Sequence, residues 1–242
     1  MSYVRLLCLA ALFSCPFTAQ AQVQWSLSTD VQSQYVAPTL GIVLHDRPVV
    51  QSSLTAAFAN GCFVNLWGSK SFHGERGALD FGNEIDYTFG CGGAFDGWGW
   101  SASVSYFDLA PVFRASNDLV QGALELNREM VFGQHTLTPY LAVKPVFPFA
   151  SRDGAWFEGG LRHRWKIAEK FSFLQSIRGV YDTGALGNVP GTNLRYDAAF
   201  LWSVSKSVDV RLPTFQFFTP ISTFGDGRKS EFVVGSGIDI RF

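Results

Sequence analysis

The C-terminal stretch Ser230-Glu-Phe-Val-Val-Gly-Ser-Gly-Ile-Asp-Ile-Arg-Phe242 alternates between apolar and polar side chains. One parity carries Phe232, Val234, Ile238, Ile240 and Phe242, and the other carries Glu231, Gly235, Gly237, Asp239 and Arg241. Side chains two residues apart lie on the same face of a β-strand, so this segment has one apolar and one polar face. Such a strand ending on a terminal phenylalanine is typical of the closing strand of an outer-membrane β-barrel.

Eleven similar segments precede it, most of them about ten to fourteen residues long. The predicted strands are Val23–Val36, Val49–Ala59, Cys62–Ser69, Gly82–Phe95, Trp98–Phe107, Asp118–Met130, Thr136–Phe147, Gly154–Ile167, Phe171–Asp182, Leu194–Val204, Val208–Phe218 and Ser230–Phe242. Short turns near residues 60, 96, 133, 169 and 206 alternate with long loops near 42, 75, 112, 150, 188 and 224. This pattern predicts an all-β, antiparallel transmembrane β-barrel of 12 strands over residues 22–242. Ten or fourteen strands and a soluble β-sandwich are the alternatives, and Pro139 and Pro145 make the seventh strand the least secure.

The aromatic residues sort by depth along the predicted strands. The tryptophans Trp25, Trp98, Trp100, Trp165 and Trp202 lie near the short turns, and the tyrosines Tyr35, Tyr106, Tyr181 and Tyr196 lie near the long loops. Two aromatic girdles are expected of a lipid-embedded barrel, because amphipathic rings settle at the membrane interfaces. A soluble sandwich has no reason to sort its aromatic residues in this way.

The first 21 residues predict a signal peptide, with Arg5, an apolar run from Leu6 to Phe13, and cleavage after Ala21. A short buried helix and lipidation at Cys15 are the alternatives. Export implies the bacterial outer membrane, with its lipid as a partner.

A net charge of −1 argues against a nucleic-acid binder with a broad basic face. Two cysteines remain after cleavage, Cys62 and Cys91, which either form a disulfide or face lipid without meeting.

The predicted lumen carries charges of both signs on different walls. Bases concentrate on the eighth to tenth strands, and acids on the first, fourth and sixth. The candidate lumen-lining residues are Glu84, Asp86, Glu125, Arg162, Arg164, Arg178 and Arg195. Walls of opposite sign create a transverse field that orients small polar solutes in a narrow pore. Alternatively, the charges pair across the lumen and close it.

No catalytic, metal or cofactor site is predicted. Of the four histidines, only His163 lies within a strand, facing outward beside Gln175 and without a neighbouring serine, so it lacks the nucleophile of a hydrolase. His45 and His73 are expected in outer loops and His135 in a short turn. His73, Glu75 and Asp80 are close in sequence but match no metal-ligand motif.

Three segments resemble the TorF family of putative outer-membrane proteins. They are Pro48-Val-Val-Gln-Ser-Ser-Leu54, Gly61-Cys-Phe-Val-Asn-Leu-Trp-Gly-Ser69 and Glu84-Ile-Asp-Tyr-Thr-Phe-Gly90, within about residues 25–110. Tyr35-Val-Ala-Pro38 stands where that family has a Tyr-x-Phe-Arg-Gly segment, and Phe63 stands where tyrosine is usual. The resemblance implies an exported bacterial barrel and brings no catalytic residues with it.

The leading functional hypothesis is a narrow channel for small polar solutes. A second is a non-conducting structural or adhesive barrel that binds partners through the outer loops at residues 73–80, 183–193 and 225–229. A third, a lipid-modifying enzyme, requires a hydroxyl group beside His163.

Overall fold

A computed structural model describes residues 23–72, 83–109, 118–222 and 228–242. Within this part of the chain, twelve antiparallel strands form one closed barrel. They are β1 (Gln24–Gln32), β2 (Val49–Ala57), β3 (Cys62–Ser71), β4 (Glu84–Phe95), β5 (Trp98–Leu109), β6 (Leu119–Asn127), β7 (His135–Pro148), β8 (Gly154–Lys166), β9 (Phe171–Asp182), β10 (Gly191–Ser203), β11 (Val208–Pro220) and β12 (Glu231–Arg241). The predicted strand number and order are therefore confirmed. The predicted signal peptide lies outside the described residues.

The barrel closes where β1 pairs with β12, from Ser26 opposite Arg241 to Gln32 opposite Gly235. An ion-pair network secures this seam from inside. Arg211 on β11 contacts Asp239 at 2.8 Å and reaches past β12 to Asp30 on β1 at 3.0 Å. Gly237, opposite Asp30, leaves room for this contact, since a Cβ atom there would lie 2.8 Å from Arg211 Nη2.

The prolines of β7 are accommodated because each interrupts pairing on one side only. Pairing with β6, and with the short strand Met130–Phe132 that follows it, lapses at Pro139 and at Pro145 and keeps the same register on either side of both. Pairing with β8 runs through both positions without a break. Proline lacks the N–H group that a ladder requires, which explains the gaps. The seventh predicted strand is therefore present despite its two prolines, and it has 14 residues.

The outer face of the barrel is apolar and exposed. Its exposed side chains include Leu54, Leu66, Leu124, Leu141, Phe200 and Phe232. Soluble monomers rarely expose so much continuous apolar surface, so this face is suited to a lipid environment. None of the helices in the described residues is long and apolar enough to cross a membrane.

The first long connection folds inward rather than away from the barrel. The predicted first strand extended to Val36, but β1 ends at Gln32, and Tyr35–Val36 instead pairs with Val43–His45 as a short hairpin. Tyr35 is only 5 % exposed and lies inside the barrel, so its predicted place in an outer aromatic girdle was wrong. His45, expected in an outer loop, is also buried. We call residues 35–45 the cap.

Candidate functional site

The cap fills the lumen at the end of the barrel that carries the long loops. Ala37 and Leu40 of the cap belong to one buried apolar cluster, whose other members are Leu119, Val146, Trp156, Val180 and Ala185. The strand residues of this cluster come from β6, β7, β8 and β9, and Ala185 comes from the loop between β9 and β10. The lumen is therefore apolar and packed at this end, although its walls are polar further down.

Polar contacts fasten both ends of the cap. The Tyr35 hydroxyl donates a 2.7 Å hydrogen bond to Glu84 Oε2, and His45 Nε2 lies 2.7 Å from Ser71 Oγ. Burial, together with the neighbouring Glu84 carboxylate, raises the pKa of Tyr35 well above its ordinary value. The phenol therefore keeps its proton and remains a donor.

Two arginines hold the middle of the cap through its backbone. Arg178 Nη2 on β9 donates to the Pro38 carbonyl at 3.2 Å, and Arg228 Nη1 donates to the Leu40 carbonyl at 3.0 Å. Directly after Leu40 the chain turns at Gly41, whose φ of 66° favours glycine. Guanidinium groups from β9 and from the segment before β12 thus fix the position of the cap.

Below the cap the lumen contains a polar cavity of about 550 Å³. Strands β7 to β11 form its wall, with Thr138, Tyr140, Arg162, Arg178, Arg195 and Gln216 among the lining residues. The bases predicted to line the lumen do lie along this cavity, including Arg164. Its size and its mixture of cations, hydroxyls and amides suit a small polar solute.

Three of these four bases lie close to a carboxylate. Arg162 binds Glu125 through two hydrogen bonds of 2.9 and 2.7 Å and stacks over the Tyr140 ring at 4.0 Å. Arg195 contacts Asp197 at 2.6 Å. Arg162 and Glu125 are only two strands apart, so this pair lies along the wall. Arg164 donates to Ser172 Oγ at 3.2 Å.

Glu84 and Asp86 lie on β4 beneath the other side of the cap. Both are buried, and Glu84 accepts the Tyr35 hydrogen bond. Their side chains share one face of the strand because they are two residues apart. The structure therefore brings Glu125 together with Arg162, and Glu84 together with the cap rather than with a base.

The two cysteines lie opposite each other on β3 and β4, at residues 62 and 91. A disulfide joins Cys62 to Cys91, with their Cα atoms 3.8 Å apart. The bond links neighbouring strands at the end with short turns. It lies outside the lumen cavity and takes no part in lining it.

A chain of polar side chains crosses the outer face of β7 to β10. His135 Nδ1 lies 3.0 Å from His163 Nε2, His163 Nδ1 lies 2.9 Å from Gln175, and the Tyr196 hydroxyl donates to Gln175 Oε1 at 2.8 Å. The only hydroxyl in this chain, that of Tyr196, binds Gln175 and not His163. The predicted neighbour of His163, Gln175, is the one observed.

Within residues 23–72, 83–109, 118–222 and 228–242, no group of three His, Cys, Asp or Glu side chains is arranged to hold a metal ion. The loop of residues 73–80, with the predicted residues His73, Glu75 and Asp80, lies outside these ranges. Most of the loop of residues 225–229 also lies outside them. The loop of residues 183–193 is described and contributes Ala185 to the cluster around the cap.

Solved structures that share the fold of this barrel include two porins. One is a KdgM porin in complex with disordered oligogalacturonate, with a TM-score of 0.56, 11 % identity, and coverage of 90 % of this chain and 99 % of that one. The other is a NanC porin, with a TM-score of 0.57, 8 % identity, and coverage of 88 % and 98 %. The chain has the fold of these porins. Neither models of known protein families nor curated protein sequences give a match.

Sequence reasoning missed the cap residues and Asn193 on β10, whose buried Nδ2 atom has no hydrogen-bond partner among the described residues. A signal for the cap was present, because residues 35–44 read Tyr-Val-Ala-Pro-Thr-Leu-Gly-Ile-Val-Leu and are far more apolar than a solvated loop requires. No comparable signal marks Asn193, since its role depends on which residues of other strands lie beside it.

Proposed function

We propose that the protein is a narrow channel for small polar solutes in the bacterial outer membrane. The observation that carries this proposal is the polar cavity of about 550 Å³ inside a closed barrel whose outer face is apolar. In such barrels the short turns face the periplasm and the long loops face outward. The cavity then lies on the periplasmic side of the cap.

The basic wall of the cavity favours solutes that carry negative charge or many hydroxyl groups. Arg162, Arg164, Arg178 and Arg195 all line it. The fold likeness to a KdgM porin that was solved with oligogalacturonate is consistent with such a solute. We also propose a relationship to the TorF family, on the basis of the barrel fold and of the three sequence segments described above.

The cap makes this a gated channel. Ala37 and Leu40 are buried in the lumen, so a solute passes the outer end only when the cap moves. The same packing also favours the second candidate, a barrel that does not conduct and that acts through its outer loops. The two candidates differ in a measurable property, since only a channel conducts when the cap is removed.

The decisive experiment is single-channel conductance of the refolded protein in a planar bilayer. The wild-type protein is compared with a variant in which residues 36–44 are replaced by a glycine-serine linker of equal length. We expect brief openings of the wild-type protein and long openings of the variant. Silence of both proteins, with barrel folding confirmed by heat-modifiable migration, contradicts the channel and supports the structural barrel.

We infer no enzymatic role. His163 bonds to His135 and Gln175 on the outer face, which provides a base without the serine nucleophile that a hydrolase needs. The Ser71–His45 contact joins the end of the cap to β3, with both residues buried, and its position serves to hold the hairpin. A lipid-hydrolysis assay in mixed micelles tests this inference, and activity that disappears in a His163→Ala variant would overturn it.

A further inference from the structure

Two arginines face each other directly on neighbouring strands below the cap. Arg178 on β9 is paired in register with Arg195 on β10, and both point into the lumen. Like charges at such positions destabilise a sheet. The guanidinium groups are close enough to repel each other electrostatically. Because this arrangement is unfavourable by itself, we expect a group of opposite charge that stabilises it.

Hydrogen-bond donors at this point are left without acceptors. Arg178 Nε, Arg195 Nη1 and Asn193 Nδ2 are each buried and have no hydrogen-bond partner among the described residues. Asn193 is two residues from Arg195, so its side chain points to the same face, and it is 4 % exposed. Burying a donor without an acceptor costs about 1–3 kcal/mol, and native proteins rarely leave such groups unpaired. All three orphaned groups are donors, so the missing partner is an acceptor.

The local charges do not balance either. Lys144 contacts Glu158 at 2.8 Å, Arg178 lies 3.7 Å from the other oxygen of Glu158, and Arg195 is paired with Asp197. This network contains three bases and two carboxylates, and it therefore carries one uncompensated positive charge. A partly buried excess charge is costly unless an opposite charge approaches it.

We propose that Arg178, Arg195 and Asn193 form a binding site for an oxyanion, the carboxylate, sulfate or phosphate group of a solute. A single oxyanion supplies both the missing acceptor atoms and the missing negative charge. Guanidinium groups suit this task because their N–H groups match the oxygens of planar or tetrahedral anions. The inference rests on the proposed channel and deepens it by naming the class of solute.

The surroundings add a second element of recognition. The cavity continues from this site past Thr138, Ser176 and Gln216, whose hydroxyl and amide groups suit the hydroxyls of a sugar. Arg178 also donates to Pro38 O of the cap. An acidic sugar bound here has its anionic group directly beneath the cap and its polar remainder in the cavity.

Isothermal titration calorimetry on the detergent-folded protein tests the site without requiring conductance. The probes are galacturonate, which carries a carboxylate, and galactose, which carries a hydroxymethyl group in its place. We expect galacturonate to bind at least about tenfold more tightly, as befits charge-assisted hydrogen bonds. Arg178→Gln removes the excess charge, and Asn193→Asp places a carboxylate in the site, so each should weaken galacturonate binding about tenfold or more.

The matched control is Arg128→Gln. It also removes one positive charge, but from a residue that stacks over Trp98 and does not line the cavity, and it should change galacturonate binding less than about threefold. Equal affinity for the two sugars overturns the oxyanion site, and so does galacturonate binding that both site variants retain. If galacturonate binds as expected but neither the wild-type protein nor the variant without the cap conducts, the oxyanion site stands and the channel is excluded. If the barrel conducts but shows no saturable galacturonate binding, the channel stands and the oxyanion site is excluded.

Discussion

The hydrogen bond between Tyr35 and Glu84 should control how often the cap opens. Tyr35→Phe removes only the hydroxyl that donates to Glu84 Oε2 at 2.7 Å. Glu84 is 3 % exposed in the capped state and would lose this donor without gaining water. Losing one partner of a buried hydrogen bond costs about 1–3 kcal/mol. The cost is confined to the closed state, because water reaches both groups once the cap leaves, so the ratio of open to closed channels should rise roughly 5- to 150-fold.

The assay is the open probability of single channels in a planar bilayer, at one voltage and one salt concentration. Tyr196→Phe is the matched control, since it removes a tyrosine hydroxyl that donates at 2.8 Å to Gln175 on the outer face, away from the cap. We expect the open probability to rise in Tyr35→Phe and to stay at the wild-type value in the control. The conductance of the open state should be the same in all three proteins, because the cavity wall is unchanged.

An unchanged open probability in a folded, conducting Tyr35→Phe variant would refute the reasoning. It would mean that the cap does not gate the lumen or that Glu84 finds another donor at once. An equal rise in the control would point instead to a general loosening of the barrel.

The other predictions concern packing, charge and the disulfide. Leu40→Ala should lower the stability of the closed cap by roughly 2–5 kcal/mol and lengthen the openings in single-channel records, while the same change at the exposed Leu54 should not. Arg162→Gln should leave the Glu125 charge uncompensated and so shift the reversal potential in a salt gradient towards cation selectivity. The expected change in the permeability ratio is about twofold. An unchanged reversal potential would show that the basic wall does not set ion selectivity. Replacing Cys62 and Cys91 together by serine should lower the free energy of unfolding by roughly 3.6 kcal/mol, given a sequence separation of 29. Urea unfolding of the barrel under oxidising conditions measures this loss, and reduced wild-type protein should behave like the variant.

The strands were predictable because their signal is local. β9 occupies Phe171–Asp182 as predicted, and β8 differs from its prediction by a single residue. Alternation with a period of two identifies both the strand and its two faces from neighbouring residues alone. Asn60-Gly61 and the similar short turns then place successive strands side by side. Even the inward direction of Arg178 and Arg195 follows from parity.

The cap was misread because its residues carry two conflicting signals. Tyr35 and Val36 continue the alternation of the first strand, which predicts that they face outward and inward in turn. The structure ends β1 at Gln32 and buries both side chains. Burial of Val36 against Phe218 and Val233 is available only because two distant strands place those residues around one space. No local sequence pattern indicates that such a space exists.

By itself the sequence determined the number of strands, their order and the face on which each side chain lies, because these depend on short-range periodicity and on turns. Only the tertiary structure decided that Arg178 lies opposite Arg195, that Asn193 joins them, and that the cap closes the lumen above them. Those facts depend on the register between strands and on the path of a long loop. Both are set by contacts between residues far apart in the chain, such as the hydrogen bond from Arg178 to Pro38 over 140 positions.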